Sequence, residues 1–165
     1  MPPQRKVSEI SKNEIEEAVA EFQGKFPRPD INVLKIDWHD LEKEWQSPWR
    51  NGNKPGAYIF LDSDECRLFI GKASSGRNLK TRLTGHFYAN KNDKNSKQGK
   101  KALGTRYVGL LGLPPEHGFE APAIEEYLIT LLGPPRNEVI VGKARRKQKI
   151  RKFEKYEKRP EEAPY

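Results

Sequence analysis

Cysteine is almost missing from this chain: Cys66 stands alone among 165 residues. An internal disulfide is therefore excluded, and packing must hold the fold together. Long apolar runs are missing too, and none approaches the roughly 18 residues that a membrane span needs. The opening stretch, MPPQRKVSEI, contains no apolar block, so no secretory signal is expected there. No segment repeats. Together these absences point to a reducing, cytoplasmic setting without a membrane partner. Hydrophobic residues make up 35% and charged residues 33%, enough for one modest core and one domain with appendages.

Charge is plentiful and unevenly placed. The net charge is +8, and residues 143–159 hold ten Lys/Arg against two Glu, while the remaining basic and acidic residues balance at 21 each. Within that tail Arg145, Arg146, Lys147, Lys149, Arg151 and Lys152 are the candidate phosphate contacts. A second cluster sets Lys91, Lys94, Lys97, Lys100 and Lys101 against Asp93. Basic patches of this kind are the electrostatic footprint of nucleic-acid binding. The bland alternative is a solvated tail.

The chain is organised around Gly56–Gly71, GAYIFLDSDECRLFIG. Two apolar runs, 57–61 and 66–70, flank an acidic link of four residues, the pattern of a hairpin. Upstream, residues 1–10 are expected to be disordered. Ser11 and Glu14 have capping-box spacing before a helix carrying Ile15, Val19 and Phe22 and ending near Gly24. A short strand is expected over 31–36 and a short helix over 38–45. Trp38, Leu41, Trp45 and Trp49 are read as core.

Downstream of the hairpin, Leu79, Leu83 and Phe87 recur every fourth residue and mark a helix near 77–88, which sets Arg82 and His86 one turn apart. Residues 89–101 read as a mobile loop, 105–111 as a third strand and 114–118 as a turn. A helix over 123–132 places Glu125 inside the apolar arc and Glu126 on the polar side. A buried carboxylate needs a cation or a metal beside it. Gly133-Pro134-Pro135 stops that helix, Asn137 follows, and 138–141 reads as a short strand before a basic C-terminal helix.

These residues, in this order, resemble the GIY-YIG nuclease family. Gly56-Ala57-Tyr58 stands where the family has GIY, and Phe69-Ile70-Gly71 where it has YIG. The stretch FIGKASSGRNLKTRLTGHF is similar to the amino-terminal nuclease domain of the bacterial excinuclease, with a short insertion before Leu79. Glu125, Leu128, Ile129, Pro134 and Asn137 look like the closing motif.

The likeness covers about residues 56–140. It divides the chain into an N-terminal extension (1–55), a nuclease-like domain (56–142) and a basic tail (143–165). The fold class it implies is α/β of the α+β kind: a small three-stranded antiparallel or mixed sheet flanked by helices, with an N-terminal helical extension and a basic C-terminal helix.

The resemblance implies an endonuclease that hydrolyses DNA phosphodiesters in repair or restriction, using one divalent ion, Mg²⁺ or Mn²⁺. Glu125 is the one carboxylate placed to ligate it, since Mg²⁺ keeps most of its waters. Arg82 would grip the scissile phosphate, His86 would position water or phosphate, and Lys72, just past the strand end, would add positive field. Asn137 would tie the loop after the last helix to the site. Tyr58 is the expected general base or water-positioning group, its pKa lowered by Lys72, Arg82 and the metal. Phe69 departs from the pattern: it keeps the second tyrosine's ring without the hydroxyl. That departure leaves open a second reading, a catalytically weakened nucleic-acid-binding module of the same fold. A third is a basic RNA- or ribosome-associated protein whose match to the family is fortuitous.

Overall fold

Seven successive residues, Gly56–Asp62, are buried along their whole length. Such a run, apolar without alternation, is what a strand covered on both faces requires. The computed structural model describes residues 10–43, 49–63, 68–74, 76–87, 104–134 and 137. The expected basic helix, the lysine cluster at 91–101, Trp45, the strand over 138–141 and the disorder expected for residues 1–9 lie outside them. The one remaining residue of that first segment, Ile10, is buried.

Four strands are described: β1 (Asp37–Asp40), β2 (Gly56–Asp62), β3 (Phe69–Ala73) and β4 (Thr105–Gly112). Three α-helices accompany them: α1 (Lys12–Lys25), α2 (Leu79–Phe87) and α3 (Ala121–Leu132), the last preceded by a 3₁₀ turn, Pro115–Glu120. The mixed α and β class holds. The sheet, however, has four strands in the order β1-β4-β2-β3, and every pairing is antiparallel.

The additional strand comes from the N-terminal extension. Asp37–Asp40 pairs with β4, Trp38 opposite Gly109 and His39 opposite Val108. This corrects two expectations: no strand forms over 31–36, and 38–40, the start of the helix expected over 38–45, is strand. The segment DWHD has little strand pattern of its own, and pairing with β4 supplies its conformation. The hairpin is also displaced. Its second strand begins at Phe69 and continues through Gly71 and Lys72 to Ala73, with Tyr58 opposite Gly71 and Ala57 opposite Lys72. Lys72 therefore sits within the strand and not past its end. Residues 115–120 form a 3₁₀ turn where a plain turn was expected.

Strand parity divides the core into two layers. Ala57, Ile59, Leu61, Ile70 and Leu111 face α1 and α3, joining Ile15, Val19, Phe22, Ile124 and Leu128. Tyr58, Phe60, Phe69, Val108 and Leu110 face α2, joining Leu79 and Leu83. Residues of the extension thus fill the same core as residues of the hairpin, with no seam at 55.

Local signals behaved as physics dictates at the first helix: Ser11 accepts from the Glu14 amide and the Glu14 carboxylate accepts from the Ser11 amide, a complete capping box. Helix α2 starts differently. The carbonyls of Gly52 and Lys54 accept from the amides of Lys80 and Leu79, and Asn78 Oδ1 accepts from the Thr81 amide, so the loop after Trp49 satisfies donors that a helix start leaves open. In α3, Ile124 and Leu128 are buried, Glu125 is half-buried and Glu126 is exposed, while Leu131 in the last turn is 42% exposed although it falls within the predicted arc.

Candidate active site

Every candidate residue of the nuclease-like motif lies at or beside the β3 side of the sheet. Tyr58 points from β2 toward α2, where its hydroxyl lies 2.7 Å from His86 Nε2. Both side chains are buried. Phe69 and Phe60 wall the pair, with ring centroids 5.7 Å apart from each other and 6.1 Å and 5.2 Å from the His86 ring. Phe69 is thus a packing ring against the pair, as its chemistry demands. His86, expected from its helix position to position water or phosphate, is buried and bonds Tyr58.

Why Tyr58 fits here is a matter of its partner across the hairpin. A Cβ added at Gly71 would overlap the Tyr58 ring at Cζ and Oη. Glycine at 71 is the seat of the tyrosine ring, a role that strand-by-strand reading misses. The pairing of positions 58 and 71 in the hairpin register is the signal that could have found it. Gly56 is constrained too, for it has φ +153° and an added Cβ would run into the Leu111 carbonyl oxygen. Gly71→Ala is expected to push Tyr58 off His86 and to cost about 1–3 kcal/mol, the range for overpacking a filled interior. Urea denaturation measures the cost. In a Tyr58→Ala background most of it should vanish, because the two positions share one space.

Lys72 links the two layers. Its carbonyl accepts from Arg82 Nε at 3.3 Å, on the α2 side, and its ammonium lies 3.1 Å from Glu125 Oε2 on α3. Lys72 and Glu125 side chains are 34% and 21% exposed, so the pair sits at the rim of the core. The cation that Glu125 needed is therefore present in the chain itself. Asn137 is buried and pairs in both directions with the backbone of Ile70: Asn137 Oδ1 accepts from the Ile70 amide at 2.9 Å, and Asn137 Nδ2 donates to the Ile70 carbonyl at 2.8 Å.

Electrostatics oppose one expectation. Burial pushes the Tyr58 hydroxyl well above the ordinary tyrosine range; Arg82 pulls it down and Glu125 pushes it further up. The loss of hydration outweighs the nearby guanidinium, so the phenol stays protonated. Lys72 and Arg82 by themselves therefore do not lower its pKa as expected: without a bound ion Tyr58 is a hydrogen-bonded phenol with His86 as its partner.

Metal chemistry has a narrow donor set here. Among the described residues no group of three or more His, Cys, Asp or Glu side chains is arranged to hold an ion. Glu125, at the rim and partly exposed, would suit a hydrated ion of the Mg²⁺ type, which needs only one or two protein carboxylates. It does not fit a closed structural site.

His117, which lies outside the nuclease-like motif, accompanies a separate cluster: Arg28 Nε donates to Glu120 Oε1 at 3.0 Å, and His117 Nδ1 lies 3.0 Å from the same oxygen. That cluster staples the segment after α1 to the start of α3. No helix among the described residues is long and apolar enough to cross a membrane. Comparison of the chain with protein-family models, with curated proteins and with solved structures finds no match.

Proposed function

We propose that this chain is a metal-dependent endonuclease of GIY-YIG type that hydrolyses phosphodiester bonds in DNA. The observation that carries this reading is the convergence on one strand of three kinds of group: a phenol bonded to an imidazole, a guanidinium, and a carboxylate at the rim. Phosphodiester hydrolysis asks for a path for the water's proton, a clamp on the phosphate and charge to meet the developing negative oxygen.

Arg82 supplies the clamp. Its Nε is anchored on the Lys72 carbonyl, which fixes the stem and leaves the terminal nitrogens to address a phosphate oxygen. Tyr58 orients the attacking water. As that water attacks, its proton passes to the Tyr58 oxygen while the phenolic proton passes to His86 Nε2, so neither a free tyrosinate nor a low tyrosine pKa is required. Glu125 would hold a divalent ion, Mg²⁺ or Mn²⁺, whose charge when bound favours the strained phosphate and the departing oxygen. Lys72 adds positive potential at the same edge. The concentrated basic residues of the sequence would engage flanking DNA phosphates.

The test is incubation of the full chain with supercoiled plasmid and with branched DNA, in Mg²⁺, in Mn²⁺ and in excess chelator. Nicking or linearisation that requires the ion is expected. Absence of cleavage in every condition, together with tight DNA binding, would favour the second reading, a binding module of weakened catalysis. The enclosed phenol and the missing hydroxyl at Phe69 are the observations that keep that reading in play.

A further inference from the structure

On the reading just given, we propose that Lys72 is the resident counter-ion of Glu125 and trades places with the divalent cation: the ion takes the carboxylate, and the released ammonium turns to the substrate phosphate. The two side chains face each other at 3.1 Å through Oε2 of Glu125. A Mg²⁺ ion sits about 2.0–2.1 Å from a carboxylate oxygen, and an ion at Glu125 repels an ammonium held at the same carboxylate.

The backbone permits only the side chain to move. Lys72 is paired with Ala57 across the hairpin, and its carbonyl is held by Arg82. Its ammonium, by contrast, is tied among the described residues by a rim ion pair with both members partly exposed, a weak kind of link. A partly buried carboxylate left alone is unfavourable. Lys72 thus keeps Glu125 neutralised while no ion is bound. Metal and phosphate then favour each other: the ion frees the ammonium, and a phosphate gives it somewhere to go. Coupling of this sort is reciprocal.

Mn²⁺ titration of the full chain without DNA, followed by the electron paramagnetic resonance of the free ion, tests the exchange. Lys72→Met removes the competitor and is expected to bind Mn²⁺ roughly two- to fivefold more tightly than the unaltered chain, the scale of a partly exposed ion pair. Lys72→Gln, which preserves polarity at the rim, should do the same. Glu125→Gln should lose the site. If Glu125→Gln loses binding while both Lys72 variants bind Mn²⁺ equally or more weakly, the exchange is overturned and the metal reading stands. If Glu125→Gln binds Mn²⁺ as before, the ion is not at Glu125, and both the reading and the exchange fall.

Discussion

Glu125→Gln is expected to bind DNA and leave it uncut. The substitution keeps the shape of the side chain and removes only the charge that would hold a divalent ion. Its position predicts a small structural cost, because the ion pair it breaks lies at the rim and such pairs contribute only about 0–1 kcal/mol. Thermal unfolding should move by a few degrees at most, and DNA affinity measured by fluorescence anisotropy should be nearly unchanged. Ion-dependent plasmid nicking should disappear. Glu126, one residue on, is exposed, and Glu126→Gln should cleave normally. The reverse pattern, a dead Glu126→Gln and an active Glu125→Gln, would remove Glu125 from the mechanism.

Tyr58→Phe is the second large effect. Loss of one oxygen from a buried ring leaves packing intact and strips His86 Nε2 of its 2.7 Å partner. Loss of one such hydrogen bond costs about 0.5–1.5 kcal/mol. The cleavage rate should fall by about 10²-fold or more, the scale for removing a general acid–base group. Because Tyr58 and His86 act as a unit, adding His86→Asn to Tyr58→Phe should lower the rate little further. Full additivity would separate the two residues, and normal cleavage by Tyr58→Phe would dismiss the phenol. Phe69→Tyr should keep or raise activity. If the unaltered protein is inert and Phe69→Tyr gains ion-dependent cleavage, the natural chain is a degenerate member.

The same phenol has a signature in stability. Its proton is held more tightly in the folded chain than in the unfolded one, where a tyrosine ionises near pH 10. The contribution of the neutral phenol is therefore complete below about pH 10 and is lost as pH rises beyond it. Urea midpoints compared at pH 8 and at pH 10.5 should converge in Tyr58→Phe relative to the unaltered chain.

How much of this was legible in the sequence depends on the range over which each signal acts. Helix α1 was readable because its capping box spans three residues and its buried Ile15, Val19 and Phe22 keep helical spacing. Glu125 inward and Glu126 outward followed from the helical repeat alone. Strand β1 was not readable. Four residues, two of them aspartate, have no strand preference until β4 lies beside them. The Tyr58–His86 bond joins residues 28 positions apart, and the Ile70–Asn137 pair joins residues 67 apart. Periodicity has no reach over such distances. The residues that the resemblance singled out lie near one edge of the sheet, but their pairing was not legible: His86 is the partner of Tyr58, and Lys72 the partner of Glu125.

The position of β3 at the margin of the sheet has a further consequence, carried by Asn137. A marginal strand shows unsatisfied peptide groups to the surroundings and can template the addition of a foreign strand, the first step toward fibrils. Here the outward amide and carbonyl of Ile70 meet the side-chain amide of Asn137, which carries the same donor and acceptor as a peptide bond. The carbonyl two residues on, at Lys72, meets Arg82. One asparagine thus imitates a single residue of a neighbouring strand and ends the sheet there. An incoming chain would have to displace it before the first rung could form, so resistance to self-association is built into the same strand on which the proposed chemistry rests.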